Sequence, residues 1–223
     1  MKKFVLAVGL MLLCAPAFAH VIAYELDAGT TGAQVFWSYL VIGFQHIIPW
    51  GIDHILFILC VFFLNTDLKK IVWQASMFTL AHSVTLGLAM YGVIDPPAGI
   101  VEPLIAASIV LLAVENIYSS KVKPWRMGMV FLFGLIHGMG FAGALSDFGL
   151  PQDAFATALV AFNIGVELGQ LAIIAFMYVC VAMLFSSKTW YRKRLVVPAS
   201  FAIALVAAYW TVERLYPLVN PTL

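Results

Sequence analysis

The chain has 223 residues, of which 63% are hydrophobic and 10% are charged, and its mean hydropathy is +1.00. A soluble domain needs more polar surface than this composition supplies, so the sequence predicts a membrane protein in contact with a lipid bilayer. The formal net charge is +1, and no basic patch interleaved with aromatic residues is present, which argues against a nucleic-acid partner. No nucleotide-binding motif is found, so we expect no ATP hydrolysis by this chain.

The first nineteen residues have the pattern of a secretory signal peptide. Two lysines precede an apolar run at residues 4–14, and Ala-Phe-Ala at 17–19 forms a cleavage motif. The apolar run is short for a transmembrane helix, which is the alternative interpretation. We therefore predict cleavage before His20 and a mature chain of residues 20–223 that forms a single domain.

The mature chain contains six hydrophobic segments, each long enough, at about 20 residues, to cross the hydrocarbon core as a helix. They comprise residues 35–64, 71–94, 100–118, 125–145, 154–185 and 195–216. No linker, repeat or low-complexity segment suggests a second domain. The predicted fold class is therefore all-α, a polytopic membrane helical bundle with about six transmembrane helices after the cleaved signal peptide.

The connections between the segments differ sharply in charge. Those at 66–70, 119–126 and 186–194 contain nine Lys and Arg residues, whereas those at 94–99 and 146–154 contain none. Positive charge marks the cytoplasmic side of a membrane protein. Together with a cleaved signal peptide, this pattern predicts a multi-pass protein of the bacterial inner membrane with both mature termini in the periplasm.

The first segment differs from the others because a proline interrupts it. Residues 35–64 would form a helix of about 45 Å, but Pro49 and Gly51 lie in its middle. Proline lacks a backbone donor and is well placed to begin a new helix, whose first turns would hold Asp53 and His54. The sequence predicts a broken helix here, with His46 just before the break and an irregular polar spot at the periplasmic side.

Polar and ionisable residues recur inside the predicted spans, where each costs several kcal/mol. Taken singly they have structural explanations: His82 could bond a backbone carbonyl, and Asn163 could join two helices. The spacing of Asn163, Glu167 and Gln170, however, puts three polar side chains on one helical face, which must point into the bundle. The glycines of FGLIHGMGFAG, which surround His137, are most simply close-packing positions between helices.

Imidazoles combined with carboxylates are the usual ligands of borderline divalent metals, so the pattern predicts a divalent transition metal ion as cargo or ligand. Nickel, cobalt, zinc and copper all suit this set. The predicted metal ligands are His46, Asp53, His54, His82, His137 and Glu167. The predicted polar pathway consists of Glu102, Glu115, Asn116, Asn163 and Gln170. As the first mature residue, His20 could capture metal in the periplasm with its imidazole and free α-amine.

Five blocks of the sequence resemble one family, the HupE/UreJ hydrogenase and urease accessory membrane proteins, which are regarded as nickel or cobalt permeases. The blocks are HIIPWGIDHILFIL, FTLAHSVTL, VEPLIAASIVLLAVEN, FGLIHGMGFA and FNIGVELGQ. The family's first-helix motif is His-x5-Asp-His, whereas here six residues separate His46 from Asp53. The family's His-Gly block is present as His137-Gly138, without its second histidine. The resemblance implies nickel or cobalt transport and a link to hydrogenase or urease maturation.

Three function classes follow from these residues. The leading one is a secondary-type permease for a divalent metal, because intramembrane charges most often mark ion paths. The second is an intramembrane metal-dependent hydrolase in which His and Asp hold zinc and Glu102, Glu115 or Glu167 acts as general base. No HExxH spacing supports that alternative. The third is a membrane partner that assembles another protein without transporting metal.

Overall fold

The computed structural model describes residues 31–147 and 154–219, with side chains described for all of these except 142–147. The signal peptide prediction and His20 therefore lie outside the described residues. The described part is almost entirely helical and contains no strand, which confirms the all-α class. We number its seven helices α1 to α7 in chain order. They are α1 (Gly32–Ile47), α2 (Ile52–Leu64), α3 (Leu68–Met90), α4 (Ala98–Tyr118), α5 (Arg126–Asp147), α6 (Phe155–Met177) and α7 (Val197–Val219).

The number of spans is smaller than predicted. Over the described residues, α3, α4, α6 and α7 are long and apolar enough to cross a membrane. Helix α6 continues through a π-helical turn as far as Phe185, and a π-helical turn that begins at Arg192 precedes α7. The pair α1 and α2 adds a fifth span if its two halves count as one. The described apolar part of α5 is only Arg126–Phe141, which is short for a full span. The chain is a multi-pass membrane protein with four or five spans in its described part rather than six.

The predicted break in the first segment is confirmed. The axes of α1 and α2 differ by 68°. The second helix begins at Ile52, after Gly51, rather than at Pro49. Gly51 permits a close turn, because a Cβ at this position would overlap the carbonyl oxygen of His46. Asp53 lies in the first turn of α2, where its negative charge interacts favourably with the helix dipole.

Glycines bring two pairs of helices close together. A Cβ at Gly43 in α1 would overlap the Phe162 carbonyl of α6, and one at Gly138 in α5 would overlap the His82 carbonyl of α3. No larger residue fits at these positions without moving a helix backbone. The prediction that the α5 glycines are close-packing positions is thus confirmed at Gly138, and the close contact holds α3 and α5 at the level of their histidines.

The three basic connections lie at one end of the bundle. Lys69 and Lys123, from two different connections, line the same cavity, and Arg192 of the third donates to the carbonyl oxygens of Asn116 and Ile117 at the end of α4. This grouping agrees with the charge pattern of the sequence. The opposite end holds the break between α1 and α2, beside which the histidines lie.

Candidate metal site

Four histidines from four helices meet inside the bundle. The ring centroid of His54 lies 4.6 Å from that of His46, 6.0 Å from that of His82 and 5.0 Å from that of His137. His46 is in the last turn of α1 and His54 near the start of α2, so the break between these helices is what places both rings together. His82 and His137 come from the tightly packed pair α3 and α5.

The potential ligand atoms fall into two overlapping groups. The first contains His46, His54 and His82, and the second contains Asp53, His54 and His137. Within each group, one nitrogen or oxygen from every residue lies within 4.8 Å of the others. Because His54 belongs to both, the five side chains form one continuous cluster, which we call the histidine cluster.

Each imidazole of the histidine cluster has a buried nitrogen without a hydrogen-bond partner. These atoms are Nε2 of His46, His54 and His82 and Nδ1 of His137. As residues, His54, His82 and His137 are almost fully buried, whereas His46 is partly exposed even though its Nε2 is not. A buried polar atom without a partner costs about 1–3 kcal/mol, so four of them in one place require an explanation.

The tautomer of His82 follows from its neighbour on α6. The Asn163 amide nitrogen donates to the Leu159 carbonyl at 2.8 Å, which leaves its Oδ1 to accept from His82 Nδ1 at 3.2 Å. His82 therefore carries its proton on Nδ1, and the lone pair of Nε2 points to the unpartnered side. Asn163 is in contact with the cluster, although the sequence placed it only in a polar pathway.

The tautomer of His137 is fixed in the same way by a residue of α4. Ser108 donates its only hydroxyl hydrogen to the Ile105 carbonyl at 2.7 Å, so it must accept the hydrogen of His137 Nε2 at 3.1 Å. The lone pair of His137 then lies on Nδ1, which is the unpartnered nitrogen. A second group that orients an imidazole in this manner is typical of metal ligands.

Asp53 acts on His54 at close range. One carboxylate oxygen accepts from both the backbone N–H of His54 at 2.8 Å and its Nδ1 at 3.0 Å. The carboxylate thus fixes the proton on Nδ1 and leaves Nε2 of His54 with its lone pair free. When these three imidazoles are neutral, each keeps its lone pair on the nitrogen without a partner, which is the state that binds a divalent transition metal.

Comparison with known proteins identifies the family of this chain. The sequence model described as HupE / UreJ protein matches residues 23–214, which is most of the chain. The chain belongs to the HupE/UreJ family. Neither a curated protein nor a solved structure matches it significantly. Family membership and the clustered His and Asp side chains together indicate a role in nickel or cobalt handling, as an accessory protein or a permease.

In this HupE/UreJ protein, Glu167 lies outside both ligand groups found among the described residues. Its two carboxylate oxygens accept hydrogen bonds from Ser76 at 2.6 Å and from Thr79 at 2.5 Å, both on α3. Gln170 lies beside them, with its Oε1 3.4 Å from the Thr79 hydroxyl. The predicted polar face of α6 therefore packs against α3, and only Asn163 reaches a histidine.

The remaining predicted residues lie further away. Glu102 is exposed near the start of α4. Glu115 and Asn116 are buried near the end of α4, where Glu115 pairs with Arg126 and Asn116 donates to the Cys60 carbonyl at 2.8 Å. The five residues of the predicted pathway thus occupy several distinct places instead of forming one continuous line.

Sequence reasoning missed Ser108 and misplaced Arg126. Serine is common in membrane helices, so nothing in the local sequence marks Ser108 as the partner of His137. Arg126 was counted among the charged residues of a cytoplasmic connection, yet its side chain is fully buried. The feature that could have indicated this is the position of Arg126 at the first residue of α5, from which its long side chain can extend into the bundle.

Proposed function

We propose that this HupE/UreJ protein is a permease that carries a divalent transition metal, nickel or cobalt first, through the histidine cluster. The observation that supports this most directly is the set of four buried, unpartnered imidazole nitrogens contributed by four helices. A metal ion bound by one of the two ligand groups would use lone pairs of the imidazoles in that group.

The chemistry of the donors selects the cargo. Neutral imidazole binds nickel, cobalt, zinc and copper, whereas magnesium and calcium prefer carboxylate, carbonyl and water oxygens. The cluster offers four imidazoles and one carboxylate, and neither described cysteine belongs to it. This set disfavours hard cations and soft copper(I), and the family favours nickel or cobalt within the remaining group.

A hydrolase is the weaker alternative. It would need a general base beside the metal, and the three glutamates considered for that role are all occupied elsewhere or distant. Glu102 is exposed at a helix start, Glu115 is paired with Arg126, and Glu167 accepts from two hydroxyl groups. Asp53 is the one carboxylate in the cluster, and it holds His54.

We further propose that the chain lies in the bacterial inner membrane with its basic end in the cytoplasm and the histidine cluster toward the periplasm. Reporter fusions after Lys70, Lys123 and Arg194 should then score cytoplasmic, and fusions near Pro97 and Leu223 periplasmic. This orientation requires that α5 (Arg126–Asp147) also crosses the membrane, so a cytoplasmic C-terminus would contradict it. Periplasmic capture by His20 is part of the same proposal and requires that N-terminal sequencing of the mature protein begin at His20.

Metal uptake into proteoliposomes tests the function itself. Purified protein should carry Ni²⁺ or Co²⁺ in preference to Mn²⁺, with Zn²⁺ and Cu²⁺ as competitors, and His82→Ala should remove both binding and uptake. Cys180→Ala is a matched control, since this half-buried thiol lies outside both ligand groups. Metal binding with substrate turnover but no uptake would support the hydrolase, and no metal binding at all would favour an assembly partner.

A further inference from the structure

A second buried polar cluster lies at the basic end of the bundle and is organised around Arg126. The guanidinium donates from Nε to the Gln74 side-chain oxygen at 3.1 Å and from Nη2 to the Cys60 carbonyl at 3.0 Å. Its Nη1 donates to the Glu115 carboxylate. One side chain of α5 thereby bonds α2, α3 and α4 at once, although it is completely buried. We call these residues, together with Asn116, the arginine cluster.

The arginine cluster contains more oxygen acceptors than the arginine satisfies. Oε1 of Glu115 and Oδ1 of Asn116 are both buried and without a hydrogen-bond partner. Asn116 is fully buried, and its amide nitrogen donates to the same Cys60 carbonyl that Arg126 uses. The guanidinium therefore donates to a carboxylate, one amide oxygen and a backbone carbonyl, and two further oxygens of the cluster have no partner. Oxygen donors of this kind also bind divalent cations, and they hold a transition-metal ion more loosely than imidazole does.

An apolar layer separates the two clusters. The ring of Phe57 lies 5.3 Å from that of His137 and 4.7 Å from that of Phe78, and Phe133 lies next to it at 6.2 Å. Phe57 and Phe78 are fully buried. On α3, the eight residues from His82 to Gln74 correspond to about 12 Å along the helix axis. A cation leaving the histidine cluster toward the basic end would have to cross this layer, at whose level on α3 Ser76 and Thr79 hold Glu167, before it met the arginine cluster.

Gln74 connects the arginine cluster to a cavity at the basic end. The cavity has a volume of about 1030 Å³, and Gln74, Trp73 and Met127 form part of its wall. Lys69, Lys70 and Lys123 also line it, with Asp67 as the one acidic residue. The excess of positive charge makes it unfavourable for a cation to stay in this cavity. It would therefore favour release of the ion from the protein and oppose its return to the arginine cluster.

We propose that the arginine cluster is a second cation site on the transport path, and that the Arg126 guanidinium occupies it as a built-in substitute for the metal. The proposal rests on the function proposed above. In the resting state Arg126 neutralises Glu115 and closes the basic end. An arriving divalent cation takes over the oxygens of Glu115 and Asn116, the guanidinium moves away toward the cavity beside Gln74, and the ion is released when Arg126 returns.

A purely structural ion pair explains the geometry less well. Buried ion pairs contribute little net stability, because desolvation offsets their attraction. A structural pair would also be expected to use both oxygens of its carboxylate, since a bidentate contact is the stronger arrangement. Here the second oxygen of Glu115 has no partner, and neither has the side-chain oxygen of Asn116, which shares the Cys60 carbonyl with Arg126. These free acceptors are the groups that an incoming cation would need.

Metal binding to purified full-length variants tests the substitution. Arg126→Gln should bind one additional Ni²⁺ or Co²⁺ per chain compared with the wild type, since Glu115 loses its internal cation. The double variant Glu115→Gln/Arg126→Gln should lose that additional ion, while the ion bound by the histidine cluster remains. If wild type binds metal and a folded Arg126→Gln binds no more, the second site is wrong. If wild type binds none, the proposed function fails instead.

The thiol of Cys60 provides a second measurement that keeps Arg126 in place, which covers the case in which Arg126→Gln does not fold. Cys60 is fully buried beside the cluster. In a chain whose other cysteines are replaced by alanine, N-ethylmaleimide labelling of Cys60 should rise several-fold when Ni²⁺ or Co²⁺ is added. The increase should be absent in His82→Ala, which cannot load the first site. A labelling rate that is the same with and without metal would overturn the proposal.

Discussion

The histidine cluster and the arginine cluster both lie between α2, α3 and α5, yet they differ in how many of their polar atoms already have a partner. In the histidine cluster, Asp53, Asn163 and Ser108 fix three of the four imidazoles, and four ring nitrogens have no partner. In the arginine cluster, a protein cation already fills most of the acceptors. The first is preorganised for an ion that is yet to arrive, and the second is closed by an ion of its own.

In the proposed transport path, the histidine cluster therefore binds the ion and the arginine cluster closes the basic end. Neutral imidazoles can be buried without a bound ion, because they carry no charge that needs a counterion. A carboxylate as buried as Glu115 cannot do so at comparable cost, since an unpaired buried charge is far more expensive than an unpaired neutral group, whereas Asp53 in the histidine cluster is partly exposed. Glu115 therefore needs Arg126, while His82 and His137 need only a hydrogen-bond partner. Each prediction below tests one side of this comparison.

Removal of a ligand should have the largest effect. His54 belongs to both ligand groups, so His54→Ala should weaken binding of Ni²⁺ or Co²⁺ by about 100-fold or more, beyond the roughly 10–100-fold typical of an outer-shell change. Titration of purified protein with the metal measures this. Alanine at His46, His82 or His137 should act similarly, whereas four mild and additive effects would show that the histidines do not share a site.

Acid should weaken the same binding. An imidazole must be neutral to bind a metal, and its ordinary pKa is about 6.5, so protons compete with the ion as the pH falls. We expect metal affinity to decrease once the pH is low enough to protonate the rings, by up to about tenfold per pH unit for each proton taken up. Equilibrium dialysis at several pH values measures it. Metal affinity that does not fall at any pH at which the protein stays folded would exclude imidazole as the main ligand.

Loss of an orienting group should have a smaller effect than loss of a ligand. Ser108→Ala and Asn163→Ala each free one imidazole to rotate or change tautomer, and metal affinity should fall by about 10–100-fold. Histidine tautomers measured by nitrogen NMR should change in the same variants. Ser83→Ala is the matched control, because its hydroxyl donates only to the Thr79 carbonyl of its own helix. An effect of Ser83→Ala equal to that of Ser108→Ala would indicate general destabilisation.

The helix contact behind the cluster can be changed without touching a ligand. Gly138→Ala places a methyl group against the His82 carbonyl and should destabilise the fold by about 1–3 kcal/mol. It should also lower metal affinity by moving His82 away from His137. Thermal unfolding in detergent and metal titration measure the two effects. Gly128→Ala on the same helix meets no atom within 4 Å and should leave both nearly unchanged.

The smallest effect is expected for a predicted pathway residue that belongs to neither cluster. Glu102 is exposed at the start of α4, so Glu102→Gln should change uptake and stability little. The comparison variant is Glu115→Gln, which leaves the buried Arg126 without its carboxylate and should destabilise the protein clearly. Uptake in proteoliposomes and thermal unfolding measure both. A large loss of uptake in Glu102→Gln alone would place it on the path.

The sequence by itself determined the membrane environment, the helical class and most helix boundaries, because hydropathy and proline act locally along the chain. It also marked five residues as candidate metal ligands, since ionisable residues in apolar segments are costly wherever the helices lie. These are His46, Asp53, His54, His82 and His137. Only the tertiary structure decided which of these polar residues meet. Glu167 joins Ser76 and Thr79, and Arg126 turns inward to Glu115, because these contacts join residues that are far apart in sequence. The partner of His137 could not be read either, since Ser108 is marked as an orienting group only by the packing of α4 against α5.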